Sequence, residues 1–334
     1  MNLNPRIFRR QTQGVGSRTE RPHYPGAQVT LGEMIALRLQ AGALQLASHG
    51  PAINLLAGSH SSRFRGRGMD YAESRNYQPG DDIRNMDWRV TARTGHPHTK
   101  LYQEERERPV VIMLDLNPSM FFGTRGAFKS VVAARAAALI AWATVASGDR
   151  IGALLFNGGH QELQPKGGKR GALRLIRQLV DTTEPDRGLA EPPHADGLNR
   201  ALGRLRRVAR PGSLVFIISD FYGVDEETGT HLMRLHHHND LVAVQVRDAL
   251  EMAPPPPGRY AITDGAERGI LDTRSTRQRN QYQQWFQQQH QQVAELMSQR
   301  SIPLLTLGTS DDPLRVLNSG LAATGRRRRP RAVA

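Results

Sequence analysis

Cysteine is absent from this 334-residue chain, which removes disulfides, thiolate metal sites, iron–sulfur clusters and cysteine nucleophiles. That composition fits a reducing cytosol. Aromatic residues are scarce at 6% and do not interleave with arginine as a base-stacking surface requires. Long apolar runs are missing too. The best of them, Val131–Ala146, is alanine-rich, broken by Arg135 and too short to span a bilayer, so it reads as a buried helix. The N-terminus, MNLNPRIFRRQTQGVG, has positive charge without an apolar core, so no secretory signal is expected. No G-x-x-x-x-G-K-S/T loop is present to cradle phosphates, and no nucleotide cofactor is expected. These absences together predict a soluble, cytoplasmic protein without a membrane span.

What the chain does have is positive charge: 45 Lys and Arg against 31 Asp and Glu, a net +14, with an isoelectric point near 10.9. Such a balance suits nucleic acid, an anionic membrane surface or an acidic protein partner. The excess is mostly arginine spread along the chain, plus Arg326–Arg329 and Arg331 near the C-terminus. That distribution reads as a solvated basic surface, and nucleic-acid binding stands as an alternative. Apolar residues reach only 38%, while 32 glycines and 20 prolines predict extensive loops.

Residues 1–25 are polar and aperiodic, and disorder is expected there. Thr30-Leu31-Gly32-Glu33 has capping-box spacing and opens an apolar helix running to about Ala47. A Gly- and Arg-rich stretch, Gly58–Gly68, precedes the dense block MDYAESRNYQPGDDIRNMDWRVTARTG, with a turn at Pro79-Gly80. His98–Gln103 could be a strand. From Pro109 strand-like and helix-like segments alternate: strands at Val110–Leu114, Arg150–Phe156, Ser213–Ser219 and Leu241–Val246, helices near 126–146, 169–180, 196–208 and 226–237. Arg259–Ile262 and Gly269–Leu271 suit a hairpin, a Gln-rich helix covers about 276–300, and Ile302–Leu307 makes a last strand. The alternation predicts an α/β fold with a mainly parallel sheet flanked by helices. It occupies 108–308, after a smaller N-terminal region at 26–107 and before a basic tail at 309–334 that is expected to be disordered.

Two strands end on aspartate. VVIMLDLNPSM delivers Asp115, Asn117 and Ser119 into the loop after the first strand, and LVFIISD delivers Asp220 after a later one. Ligand sites of open α/β sheets lie beyond such strand ends. Carboxylate, amide and hydroxyl oxygens there suit a hard cation, Mg²⁺ or Mn²⁺.

This pattern resembles the metal-ion-dependent adhesion site of von Willebrand factor A domains, with Asn117 where that site has its first serine and Asp196 of ADGLNRAL where it has threonine. The stretch Arg75–Trp88, Arg-x-Tyr-x-Pro-Gly-Asp-Asp-x-Arg-x-x-Asp-Trp, resembles the domain-of-unknown-function 58 family, which carries a von Willebrand A-like domain. Its signature positions here are Arg75, Tyr77, Asp81, Asp82, Arg84, Asp87 and Trp88. The resemblance implies a non-enzymatic adaptor acting with MoxR-type AAA+ ATPases and other von Willebrand A proteins in maturation or remodelling of other proteins. Nucleotide hydrolysis would be left to the partner. It also implies a divalent cation at Asp115, Asn117, Ser119, Asp196 and Asp220, completed by a carboxylate of the partner.

Other readings compete. Asp81, Asp82 and Asp87 could form a two-metal hydrolytic centre. Arg75, Arg84, Arg89 and Arg93 among them instead favour charge-paired packing, and Asp81 after Pro-Gly suits turn chemistry. His236-His237-His238 lacks the i, i+4 spacing of a helical zinc site and reads as a solvated helix end. Neither Ser119 nor Ser219 has the surroundings of a nucleophile. Tyr282, Trp285 and Phe286 are expected to pack the Gln-rich helix against the sheet.

Overall fold

The computed structural model describes residues 26–44, 46, 69–78, 81, 83–104, 108–189, 196–263 and 268–327. The chain divides into two compact units, one of residues 1–50 with 108–334 and one of residues 51–107. The expected disorder of 1–25, the 58–68 stretch, the Pro79-Gly80 turn, Asp82 and the last arginines from 328 on lie outside the described residues.

Helix α1, Leu31–Ala41, opens as its sequence predicts, with the Thr30 hydroxyl accepting from the Glu33 amide at 3.2 Å. Only half of the capping box forms, because the Glu33 carboxylate turns to Arg135 at 2.5 Å. The smaller unit is an antiparallel pair, β1 (Met69–Asn76) and β2 (His98–Glu104), with α2 (Trp88–Thr94) between them in sequence. Asp87 caps α2: its carboxylate accepts from the Val90 amide at 3.2 Å and from the Ser74 hydroxyl at 2.7 Å. Asp81 accepts from Arg75 at 2.8 Å and from the Gln78 amide at 2.9 Å.

The larger unit continues with β3 (Pro109–Asp115), α3 (Lys129–Ala146), β4 (Arg150–Asn157), β5 (Gly159–Gly167), α4 (Gly168–Thr182) and the short α5 (Pro185–Gly188). Then come α6 (Gly197–Val208), β6 (Leu214–Ser219), α7 (Glu226–His236), β7 (Asp240–Arg247) and the single turn α8 (Ala249–Met252). A hairpin of β8 (Arg259–Thr263) and β9 (Arg268–Asp272) leads to α9 (Thr276–Gln299), β10 (Leu304–Gly308) and α10 (Pro313–Arg327).

Six strands form one sheet in the order β10-β7-β6-β3-β4-β5. All neighbours are parallel except β4 and β5. Side chains alternate across it. Val110, Ile112 and Leu114 of β3 join a core with α1, α3, α4 and α10, while Val111 and Met113 join α6, α7 and α9. Both faces are therefore covered, which is why the strands read as unbroken apolar runs. Helix α3 has the length and composition to cross a membrane, but 83% of it is buried inside the fold.

Two expectations change. β5 was not expected as a strand; it is a polar edge whose residues are mostly exposed, so it lacks the apolar signal of an inner strand. The tail expected to be disordered instead contains α10, which spans Pro313–Arg327 and inserts Leu317 and Leu321 into the core. Two leucines one helical turn apart outweigh the surrounding polar residues.

Candidate functional site

From β3 the chain moves outward along the sheet to β4, and from β6 outward the other way to β7 and β10. The reversal leaves a crevice beyond the carboxyl ends of β3 and β6, where α/β sheets hold ligands. Asp115 ends β3 and Asp220 follows Ser219, the last residue of β6, so two of the candidate residues meet where the sequence placed them.

Asp115 is buried, at 3% exposure. One of its oxygens accepts from the Asn117 amide at 2.9 Å and the other from the Ser219 hydroxyl at 2.6 Å. Ser219 Oγ in turn accepts from the Phe221 amide at 2.8 Å. Phe221 has a left-handed backbone, φ 55°, a strained state for a bulky residue that the surrounding contacts must hold in place. Burial first, and the neighbouring Asp220 charge second, push the Asp115 carboxyl up to about 7.

Asp220 has a partner that the sequence reading missed. Lys129, the first residue of α3 and 1% exposed, places its ammonium 2.9 Å from Asp220 Oδ2 and 2.5 Å from Glu251 Oε1. Burial opposes this charge, and the positive end of the α3 dipole opposes it further. The two carboxylates outweigh both and hold the lysine above its ordinary range. Burial would raise Asp220 as well, but Lys129 keeps it lowered, with hydrogen bonds from Ser119 and the Tyr222 amide. Glu251 stays raised because its desolvation dominates.

Behind Glu251 the network continues. Its second oxygen accepts from the Asp248 amide at 2.9 Å. Asp248 accepts from the Thr124 hydroxyl at 2.7 Å and the Thr309 hydroxyl at 2.8 Å. A signal for this part existed in the sequence, since Asp248-Ala-Leu-Glu251 is a capping box on α8. Lys129 had a fainter one: a lone lysine directly ahead of an apolar helix.

The remaining donors are arranged differently. Asn117 is half-buried and its Oδ1 lacks a partner among the described residues; its amide lies against Gly197 at the start of α6. Asp196 is exposed, with no side-chain cap bond. These donors do not fit the divalent cation that the resemblance implies. Both carboxylates that would bring charge to it are engaged by Ser219, backbone amides and Lys129, and an ion beside Asp220 would face the Lys129 ammonium. Among the described residues no three His, Asp or Glu side chains gather as a metal site, His236, His237 and His238 included.

Gly197 also borders a cleft of about 430 Å³ between α6 and the β4–β5 turn, lined by Arg200, Arg204, Arg207, His160 and His231. The arginines fall at i, i+4 and i+7, one face of the helix. Arg204 binds Glu162 at 2.8 Å. On α9 only Phe286 of the three aromatics is buried. Tyr282 donates to the Leu250 carbonyl at 3.0 Å, and Trp285 lies 6.0 Å from Tyr222. These two rings therefore pack around the strand-end loops rather than onto the sheet as expected.

Relatives of this chain include uncharacterized proteins of Mycobacterium bovis and Mycobacterium tuberculosis, each 33% identical over 218 residues, or 65% of this chain and 67% of the relative. Among solved structures, the conserved hypothetical protein BatB of Bacteroides thetaiotaomicron is 13% identical, with a TM-score of 0.39, covering 66% of this chain and 99% of BatB. A von Willebrand factor type A protein of Catenulispora acidiphila is 11% identical, with a TM-score of 0.33, covering 68% and 44%. The fold stands on the strand order described above. The model of the family described as "Protein of unknown function DUF58" matches residues 73–292, the whole Arg75–Trp88 signature and both aspartate-ended strands, and the chain belongs to that family.

Proposed function

We propose that this protein is a non-catalytic adaptor that receives an acidic segment of a protein partner, a MoxR-type AAA+ ATPase, in the arginine-lined cleft beside the strand-end cluster. The observation that carries the reading is the pairing of the two. A cleft with Arg200, Arg204 and Arg207 on one helical face adjoins a carboxylate cluster whose hydrogen-bonding groups are engaged internally. Arginine forks suit carboxylates bidentately, and a net charge of +14 favours encounter with an acidic partner. Ser219 is held by Asp115 and the Phe221 amide, and among the described residues no histidine or lysine base meets its hydroxyl. Asp81 and Asp87, the described members of the hydrolase alternative, serve a turn and a helix cap.

The test is capture of the purified ATPase from the same genome by the full chain at fixed salt, measured by calorimetry. Arg200→Glu with Arg204→Glu should weaken binding about 100-fold or more, as expected for desolvated charge pairs. Capture unchanged by that double substitution removes the cleft from the interface. If the wild-type chain retains DNA or RNA instead of the ATPase, the partner class is wrong.

A further inference from the structure

The geometry points to Lys129 as the resident cation of the strand-end site: a tethered ammonium stands where carboxylates at this place in an α/β sheet would otherwise gather a divalent ion, so the site is closed without metal. Three observations converge on it. Lysine is almost never fully buried unless paired, yet this one is 1% exposed. It sits at the first position of an 18-residue helix, where the dipole favours an anion and penalises a cation. Neither burial nor the helix end stabilises an ammonium there; among the described residues Asp220 and Glu251 do, at 2.9 and 2.5 Å.

The charge count agrees. Asp220 and Glu251 share a single ammonium, while Asp115 beside them is held by the Asn117 amide and the Ser219 hydroxyl. A lysine between two carboxylates supplies counter-charge where a divalent ion would otherwise bring it. Glu251 is central to this arrangement, because it comes from α8 after a different strand and gives Lys129 its second carboxylate. It is held there by the Asp248 amide at 2.9 Å. The inference concerns the chemistry of the cluster alone and is independent of which partner the protein binds.

It follows that metal and lysine are interchangeable here. Removing the ammonium while keeping its volume, Lys129→Met, should leave buried carboxylates that recruit a divalent ion. Mn²⁺ is the probe, with binding read by calorimetry and by the shift in urea midpoint between Mn²⁺ and EDTA, on the full chain. The wild type should bind Mn²⁺ at most weakly at the site and unfold at the same midpoint in both. Lys129→Met should bind Mn²⁺ about tenfold more tightly or better and move its midpoint upward in Mn²⁺, and adding Asp220→Asn should abolish the gain. Wild-type Mn²⁺ binding that disappears in Asp115→Asn overturns the inference, as does a folded Lys129→Met chain that ignores Mn²⁺. Should Lys129→Met not fold in EDTA, Lys129→Met with Glu251→Gln keeps Asp115 and Asp220 at a lower charge and is read by the same criteria.

Discussion

Asp115 makes the fold sensitive to pH in a way that can be measured residue by residue. Its carboxyl moves from an ordinary 3.8 to about 7, through burial and then the Asp220 charge. The folded state therefore holds a proton that the unfolded chain gives up earlier. Stability from this group is fully present below about pH 4 and is lost as pH rises towards 7. At about 1.4 kcal/mol per pH unit, ionising folded Asp115 costs roughly 4 kcal/mol. Between pH 5 and 8 the expected loss is roughly 2.5 kcal/mol. His290 works against it in the same window, because burial and then Arg247 lower its ring to about 4. Its contribution is present above the unfolded value and lost as pH falls. Glu251, raised by burial, acts in the same direction as Asp115. The assay is thus a difference: urea unfolding of the wild type and of Asp115→Asn at pH 5, 6, 7 and 8. The amide keeps the shape, its oxygen accepting from the Asn117 amide and its nitrogen donating to Ser219. The gap between the two proteins should shift by roughly 2.5 kcal/mol in favour of the variant as pH rises. Parallel curves would show that Asp115 ionises freely inside the fold, and the account of the cluster would fail.

Leu317 on α10 is fully buried, so Leu317→Ala should cost about 2–5 kcal/mol by urea unfolding; no loss would detach α10 from the core. A side chain at Gly188 would meet the Phe121 ring at 1.9 Å, and Gly188→Ala should destabilise by about 1–3 kcal/mol in thermal unfolding. Asp87→Ala should speed amide exchange at Val90, whose N–H it accepts, while amides of β3 and β6 keep their protection.

The parallel sheet was legible because burial on both faces writes itself as apolar runs ending abruptly on Asp115 and Asp220. Asp81 was legible as turn chemistry, and the structure gives it that task; the Asp87 cap on α2 was not read from the sequence. β5 was not, since GHQELQPKG is an antiparallel edge with a register shift opposite Ile151–Ala153, and edges have no inner-face periodicity to read. The heart of the site escaped for another reason. Lys129 and Glu251 lie 122 positions apart, and nothing local in either segment announces that a crossover brings them together. Only the topology makes them neighbours.

Trp142 donates its indole N–H to the Met34 carbonyl at 2.9 Å across 108 positions, and α1 therefore belongs to a unit from which it is separated in sequence by all of residues 51–107. Its docking closes a long loop, the kind of non-local contact that slows folding. Equilibrium is more forgiving than kinetics here, because each doubling of a closed loop costs only about 0.6 kcal/mol. The intervening segment can thus lengthen or shorten with little effect on the stability of the larger unit.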